Sequence, residues 1–209
     1  MKTCQRFILV LLFMTSVMSG FSQGIDLSLL TGYNFADRFS VQRGEGRLDE
    51  GAAYGGIVSF GLDPNYDLEL MYLRQDSRVD FDDYFYLSRP ITDEKVSVNY
   101  IQIGGCRNTN LDPVGKSVFF GGMNVGVVGF NPVSSNYNEI WKFAAGLKAG
   151  FKYYFSEKIG MRVQANLLMP VLYTSGSIWV GSGGVDVGMS GGSTITQFGF
   201  SGGLVFRLK

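Results

Sequence analysis

Asp26, Asp67, Glu69, Lys148, Lys152, Arg162 and Arg207 are charged side chains set in stretches that otherwise alternate apolar with small or polar residues. Each falls on the polar side of its stretch. Carboxylates and cations placed in this way either pair as ions in a closed interior or line a hydrated passage. None is accompanied by the usual partner for nucleophilic or general-base work, because the sequence contains no histidine. After residue 22 the only cysteine is Cys106, so an internal disulfide is impossible and Cys/His metal sites lack ligands. Cys106 is expected to pack as a small apolar residue. Asp80, Asp82 and Asp83 interleave with Phe81, Tyr84, Phe85 and Tyr86 without the spacing of a calcium loop. They read as a solvated acidic loop, with a divalent cation or a host ligand as the alternative. Gly181, Ser182, Gly183 and Gly184 lack the Gly-Lys-Ser/Thr ending of a phosphate loop and read as flexible surface chain. No catalytic residue, cofactor site or metal site is expected.

The elements that must hold these charges are strands. No helical period persists after Gln23; segments of about ten residues follow one another with period-two patterning. Ile25, Leu27, Leu29, Thr31, Tyr33 and Phe35 share one face, opposite Asp26. Tyr54, Gly56, Val58, Phe60 and Leu62 form the second apolar series, and Tyr66, Leu68, Leu70 and Tyr72 the third, opposite Asp67 and Glu69. The fourth, near 95–105, sets Val96, Val98 and Tyr100 against Ser97 and Asn99; the fifth carries Phe119, Met123, Val125 and Val127. In the sixth, alternate residues from Phe143 to Phe155 face away from Lys142, Lys148 and Lys152, and in the seventh, Ile159 to Met169 face away from Arg162. The last sets Phe198, Phe200, Leu204, Phe206 and Leu208 against Arg207. The links alternate in length: 36–50, 76–94, 131–141 and 171–193 are long, whereas Asp63-Pro64-Asn65 and Ser156-Glu157-Lys158 are tight. The link 106–116 is longer than that pattern asks but holds Asn and Asp-Pro turn residues.

The one-sided charge decides what lies outside. A soluble barrel carries its charges outward, whereas here the apolar series holds none. A Lys or Arg facing lipid at mid-depth costs about 2–4 kcal/mol, which explains the avoidance. Arg74 is the exception, at an end where a long side chain can snorkel to the headgroups. Ten residues tilted about 45° cover roughly 23 Å, the height of an apolar membrane band. Tyr33, Phe35, Tyr54, Trp141 and Phe143 are expected to form an outer aromatic girdle, and Tyr66, Phe119, Tyr153, Phe155 and Phe206 an inner one.

Composition agrees. Charged residues make up 17%, against about 25% in soluble domains, and there are 29 glycines and 14% aromatics. The 18 basic and 18 acidic residues balance, which argues against a nucleic-acid partner. Lys2 and Arg6 precede an apolar run over 7–17, and Gly20-Phe21-Ser22 offers a cleavage site. Residues 1–22 are therefore expected to be a signal peptide and 23–209 the barrel. Cys4 stands before the apolar run, which argues against a lipoprotein, and the run is too short for an anchor.

The signal peptide, the eight alternating segments, the long-short link order and the final strand over 198–209 resemble the small outer-membrane barrels typified by outer membrane proteins A and X. The final strand ends Leu208-Lys209 instead of on an aromatic residue. The resemblance is architectural and brings no catalytic residues. It implies an all-β, eight-stranded antiparallel up-and-down transmembrane β-barrel in the outer membrane of a Gram-negative cell. The implied partners are outer-membrane lipid, lipopolysaccharide and the barrel-assembly machinery, with an extracellular ligand at the loops as a further option. The first and last strands then pair on closure, so Asp26 and Arg207 are expected to form an ion pair across the seam. Glu69 is expected to meet Lys148, Lys152 or Arg162 inside; the alternative is hydration in a narrow pore. Barrel enzymes of the phospholipase, deacylase, omptin and palmitoyltransferase kinds rely on histidine, so a structural or interaction scaffold is expected, with a narrow solute channel as the alternative.

Overall fold

The computed structural model describes residues 23–41, 44–83, 91–133, 139–171, 177–181, 184–188 and 196–208. The expected signal peptide lies outside them. The strands are β1 (Gln23–Asn34), β2 (Asp37–Val41), β3 (Gly44–Leu48), β4 (Gly51–Asp63), β5 (Tyr66–Asp83), β6 (Ile91–Asn110), β7 (Ser117–Pro132), β8 (Ile140–Tyr154), β9 (Ile159–Pro170), β10 (Ser177–Gly181), β11 (Gly184–Gly188) and β12 (Gln197–Arg207). Eight of them close a barrel in the order β1-β4-β5-β6-β7-β8-β9-β12, antiparallel throughout, with β12 pairing back on β1. Closure leaves no free edge within the barrel wall, so its ladder groups find partners from one strand to the next.

The turns at one end are short because side chains take over their backbone N–H groups. Asp63 Oδ1 accepts from Asn65 N at 2.7 Å, and Ser156 Oγ accepts from Ile159 N at 3.1 Å. In 111–116, Asp112 accepts from Val114, Lys116 and Ser117, and Gly115 sits at φ 71°, a conformation that disfavours any Cβ. This turn is shorter than the expected 106–116, because β6 runs on to Asn110 and pairs it with Val118.

The other end departs from expectation more. The link 36–50 is mostly a hairpin: β2 pairs β3, and β3 pairs β5 from Leu48↔Val79 to Gly44↔Asp83. The link 76–94 is largely ladder too, since β5 and β6 stay paired to Phe81↔Ile91. Asp80, Asp82 and Asp83 therefore belong to a strand and not to a loop. Hydrogen bonding between strands does not stop where the apolar pattern stops, so polar residues continue the hairpin. In the link 171–193, β10 and β11 pair as a separate two-stranded hairpin.

Facing follows the two-residue period. Leu29, Leu70, Val125, Leu147, Val163 and Leu204 are exposed on the outside. The fourth segment corrects the sequence reading: Val96, Val98 and Tyr100 are buried in the lumen, and Ile101 and Ile103 form the outward apolar pair. The upper part of β6 is inverted in polarity because Ser97 and Asn99 stand on the outside above the apolar belt. There Arg74 Nη2 donates to Ser97 at 2.8 Å and the Tyr72 hydroxyl donates to Asn99 Oδ1 at 3.0 Å. Of the expected girdle residues, Tyr33, Phe35, Tyr54, Trp141, Phe143, Tyr66, Phe119, Tyr153 and Phe155 are exposed; Phe206 is half-buried. The seam is clamped from outside by aromatics, with Phe198 and Phe200 edge-to-face at 4.8 Å and Phe35 stacked on Phe198 at 6.1 Å.

Candidate functional site

Among the described residues, the buried charges gather in the lumen. Alternation in β5, β8 and β9 aims Glu69, Lys148 and Arg162 at the barrel axis, and all three are fully or almost fully buried. Arg162 Nη1 and Nη2 donate to the two Glu69 carboxylate oxygens at 2.9 and 3.0 Å, a bidentate fork. Lys148 Nζ closes on Glu69 Oε2, and the Ser59 hydroxyl donates to Oε1 at 2.9 Å. Lys152 Nζ lies 3.1 Å from Asp67 and 3.8 Å from Glu69. Two carboxylates thus hold three cations.

The surplus positive charge is spread over π density. The Arg162 guanidinium stacks over the Phe120 ring at 4.3 Å, and Lys152 Nζ lies 5.5 Å from the same ring. Phe120 reaches the axis because Gly150 stands beside it on β8; a Cβ there would lie 2.6 Å from Phe120 Cζ. Arg162 Nε donates to Gln164 at 2.7 Å, Gln164 to Asn166 at 2.7 Å, and Asn166 to Ser201 at 2.9 Å. The ionic centre is therefore continued up β9 to β12 by amides and a hydroxyl.

At the seam, Asp26 and Arg207 are ladder partners, with Arg207 Nε 3.5 Å from Asp26 Oδ1. Tyr154 binds both, donating its hydroxyl to Asp26 at 2.6 Å while its ring lies 4.0 Å under the guanidinium. This group lines a cavity of about 430 Å³ that also touches Asp63, Asp67, Asn108 and Lys152. All seven charged residues singled out in the sequence are thus brought to one end of the lumen, five in one cluster and two at the seam.

The other half of the lumen was not foreseen. Leu30, Ile57, Met71, Leu73, Val98, Tyr100, Val128 and Leu168 pack there as a buried apolar cluster. The signal was present in the inward series of β4, β5 and β6, where Ile57, Met71, Leu73, Val96 and Val98 replace polar residues. Between the halves, Ser28 Oγ, both amide atoms of Gln102 and Asn124 Oδ1 are buried without a hydrogen-bond partner among the described residues. Cys106, 2% exposed, faces inward beside Asp67, its ladder partner on β5. No group of three or more His, Cys, Asp or Glu side chains suited to a metal ion occurs among the described residues.

No family model matches the chain, and no curated protein does. Solved structures do. The outer membrane protein OprG from Pseudomonas aeruginosa superposes with a TM-score of 0.57 at 11% identity, over 90% of this chain and 98% of that one. Neisserial surface protein A superposes with a TM-score of 0.55 at 11% identity, over 89% of this chain and all of that one, 100%. At such identity the likeness is one of fold, that of the small outer-membrane β-barrel. The exposed apolar belt between two aromatic girdles supplies the physical reason for a bilayer around it.

Proposed function

We propose that this protein is a closed, non-enzymatic scaffold of the outer membrane, exported by residues 1–22 and displaying its long hairpins to the outside. The observation that carries the reading is the lumen, filled by the Glu69 ion cluster in one half and by apolar side chains in the other. An eight-stranded barrel is only wide enough for side chains to fill, and here the charged ones are paired and the apolar ones packed. The absence of histidine supports a role without acid-base or nucleophilic chemistry. Outer-leaflet lipid, lipopolysaccharide and the barrel-assembly machinery are the partners this role requires, with an extracellular ligand on the hairpins. Purified protein in planar bilayers is expected to give no steady conductance; a large, persistent one would sink the reading.

A narrow solute channel is the second reading. It draws support from the unpartnered Ser28, Gln102 and Asn124 in the middle of the lumen and from the cavity below them. Liposome swelling with small polar solutes separates the two: swelling favours the channel, and its absence the scaffold.

A further inference from the structure

The charges of the ionic half do not cancel. Lys148, Lys152 and Arg162 stand against Asp67 and Glu69, and none of the five side chains is more than 13% exposed. Asp26 and Arg207 pair with each other at the seam and leave that difference unchanged. A buried charge without a counter-charge is costly, and the Phe120 ring offers π density but no negative charge. The shortfall falls on Lys148. Arg162 spends Nη1 and Nη2 on Glu69 and Nε on Gln164. Lys152 lies between Asp67 and Glu69. The Lys148 ammonium has three N–H groups and meets one acceptor among the described residues, Glu69 Oε2.

Next to this contact the wall is bare. Gly104 on β6, Gly126 on β7 and Gly146 on β8 fall on the inward series, and Gln102 and Asn124 alternate with them across the ladders. The Gln102 amide lies against Gly146, where a Cβ would stand 3.2 Å from Oε1 and 3.6 Å from Nε2. Asn124 leans over Gly104, whose Cβ would stand 2.3 Å from Oδ1. Gly104 pairs with Glu69, and Gly146 precedes Lys148 by two residues, so both amides border the Lys148–Glu69 contact. Gln102 is 1% exposed and Asn124 4%, yet both amide atoms of Gln102 and Oδ1 of Asn124 lack a partner among the described residues. Asn124 Nδ2 meets only the Met71 sulfur, at 4.0 Å. The two ends of a carboxamide are nearly isosteric, so a half-turn brings Nδ2 to the place of Oδ1 for the loss of that weak contact. We propose that this recess binds one small monovalent anion, of which chloride is the type. Lys148 Nζ and the amide N–H groups of Gln102 and Asn124 hold it, and its charge brings the cluster to three against three. Water would satisfy the amides but not the charge, and sulfate would overshoot with its second charge. The site goes beyond the scaffold reading and does not depend on whether the lumen conducts.

The test has two readouts on the folded barrel. Crystals grown in sodium bromide are expected to show one lumenal anomalous peak, beside Lys148 Nζ and the Gln102 amide. In lipid vesicles at constant ionic strength, the urea midpoint is expected to rise as chloride replaces gluconate, which is too large for the recess. Lys148→Met leaves two cations with two carboxylates, and Gln102→Glu puts a fixed carboxylate where the anion sits. Both are expected to lose the chloride dependence and the bromide peak. Gln102→Leu keeps the imbalance but removes a donor, and its chloride affinity is expected to fall about tenfold. If Lys148→Met does not fold, the two Gln102 variants carry the comparison. Equal wild-type midpoints in chloride and gluconate overturn the proposal, and a bromide peak alongside them would mark an adventitious ion only. A chloride dependence that persists undiminished in Gln102→Glu overturns it as well. Planar-bilayer conductance of the same preparation reads the scaffold proposal separately.

Discussion

Glu69 and Ile57 occupy equivalent settings in opposite halves of one lumen, both with no solvent exposure and both aimed at the axis. Around Glu69 the space is filled by Arg162, Lys148 and Lys152; around Ile57 it is filled by Met71, Val98, Tyr100 and their neighbours. The two fillings obey different rules. Apolar packing is non-directional and degrades by degrees, in proportion to the atoms removed. The ionic filling is all-or-none, because a buried charge deprived of its partner is left with its full desolvation cost. Removing one ionic partner is therefore expected to cost more than trimming one apolar side chain.

The largest effect should follow from breaking the ionic half at its centre. Glu69→Ala leaves Arg162 and Lys148 facing each other without the carboxylate they share. A loss of about 3–5 kcal/mol in unfolding free energy is expected, measured by urea titration in lipid vesicles. The informative companion is Glu69→Leu combined with Lys148→Met and Arg162→Met, which gives this half the chemistry of the other. Most of the lost stability should return, since a buried ion cluster replaced by apolar residues of similar volume is often neutral or better. If the triple variant stays as unstable as Glu69→Ala, the two halves are not interchangeable and the ionic centre has a role beyond filling space.

Breaking the apolar half should cost less and in a simpler way. Ile57→Ala removes side-chain volume from a fully buried site and is expected to cost about 2–3 kcal/mol. The ion cluster below should be untouched, so the variant should remain as non-conducting as the wild type in planar bilayers. A conductance that appears in Ile57→Ala but not in Glu69→Ala would place the seal of the lumen in the apolar half alone.

Much of this contrast was legible in the chain, and the part that was not has a physical cause. Alternation told inside from outside wherever one face was apolar throughout, as in β8, and charge on the other face identified the lumen. That pattern set Asp26 against Arg207 at the seam and offered Glu69 the cations Lys148, Lys152 or Arg162 inside, and the geometry holds two such groups. It failed on β6, where Val96, Val98 and Tyr100 face inward and Ser97 and Asn99 outward. Above the membrane the outside is wet and the lumen is dry, so the rule that apolar means outward reverses within a single strand. The same reversal hid the apolar half of the lumen and led 36–50 and 76–94 to be read as loops. Polarity marks where lipid ends; it does not mark where the ladder ends.

The smallest effect concerns a carboxylate outside both halves. Asp112, like Glu69, collects several donors, but they are backbone N–H groups of the turn, and the side chain lies at the water-exposed end. The N–H of Lys116, foremost among these donors, holds its carboxyl below the ordinary value of 3.8. A carboxyl lowered on folding stabilises the folded turn above its unfolded pKa, and that contribution disappears as the pH falls through the folded one. Hydrogen exchange at Val114, Lys116 and Ser117 is expected to be slow at neutral pH relative to an unstructured turn. Protection should fall only below about pH 4, after correction for intrinsic exchange. The global unfolding midpoint should not follow, because the turn is local and exposed whereas the Glu69 cluster joins several strands across the lumen. Asp112→Asn should remove the pH step while leaving the barrel folded. If acid instead loosens the turn and the whole barrel together, the short turns and the lumen form one cooperative unit, and the contrast between local and lumenal carboxylates fails.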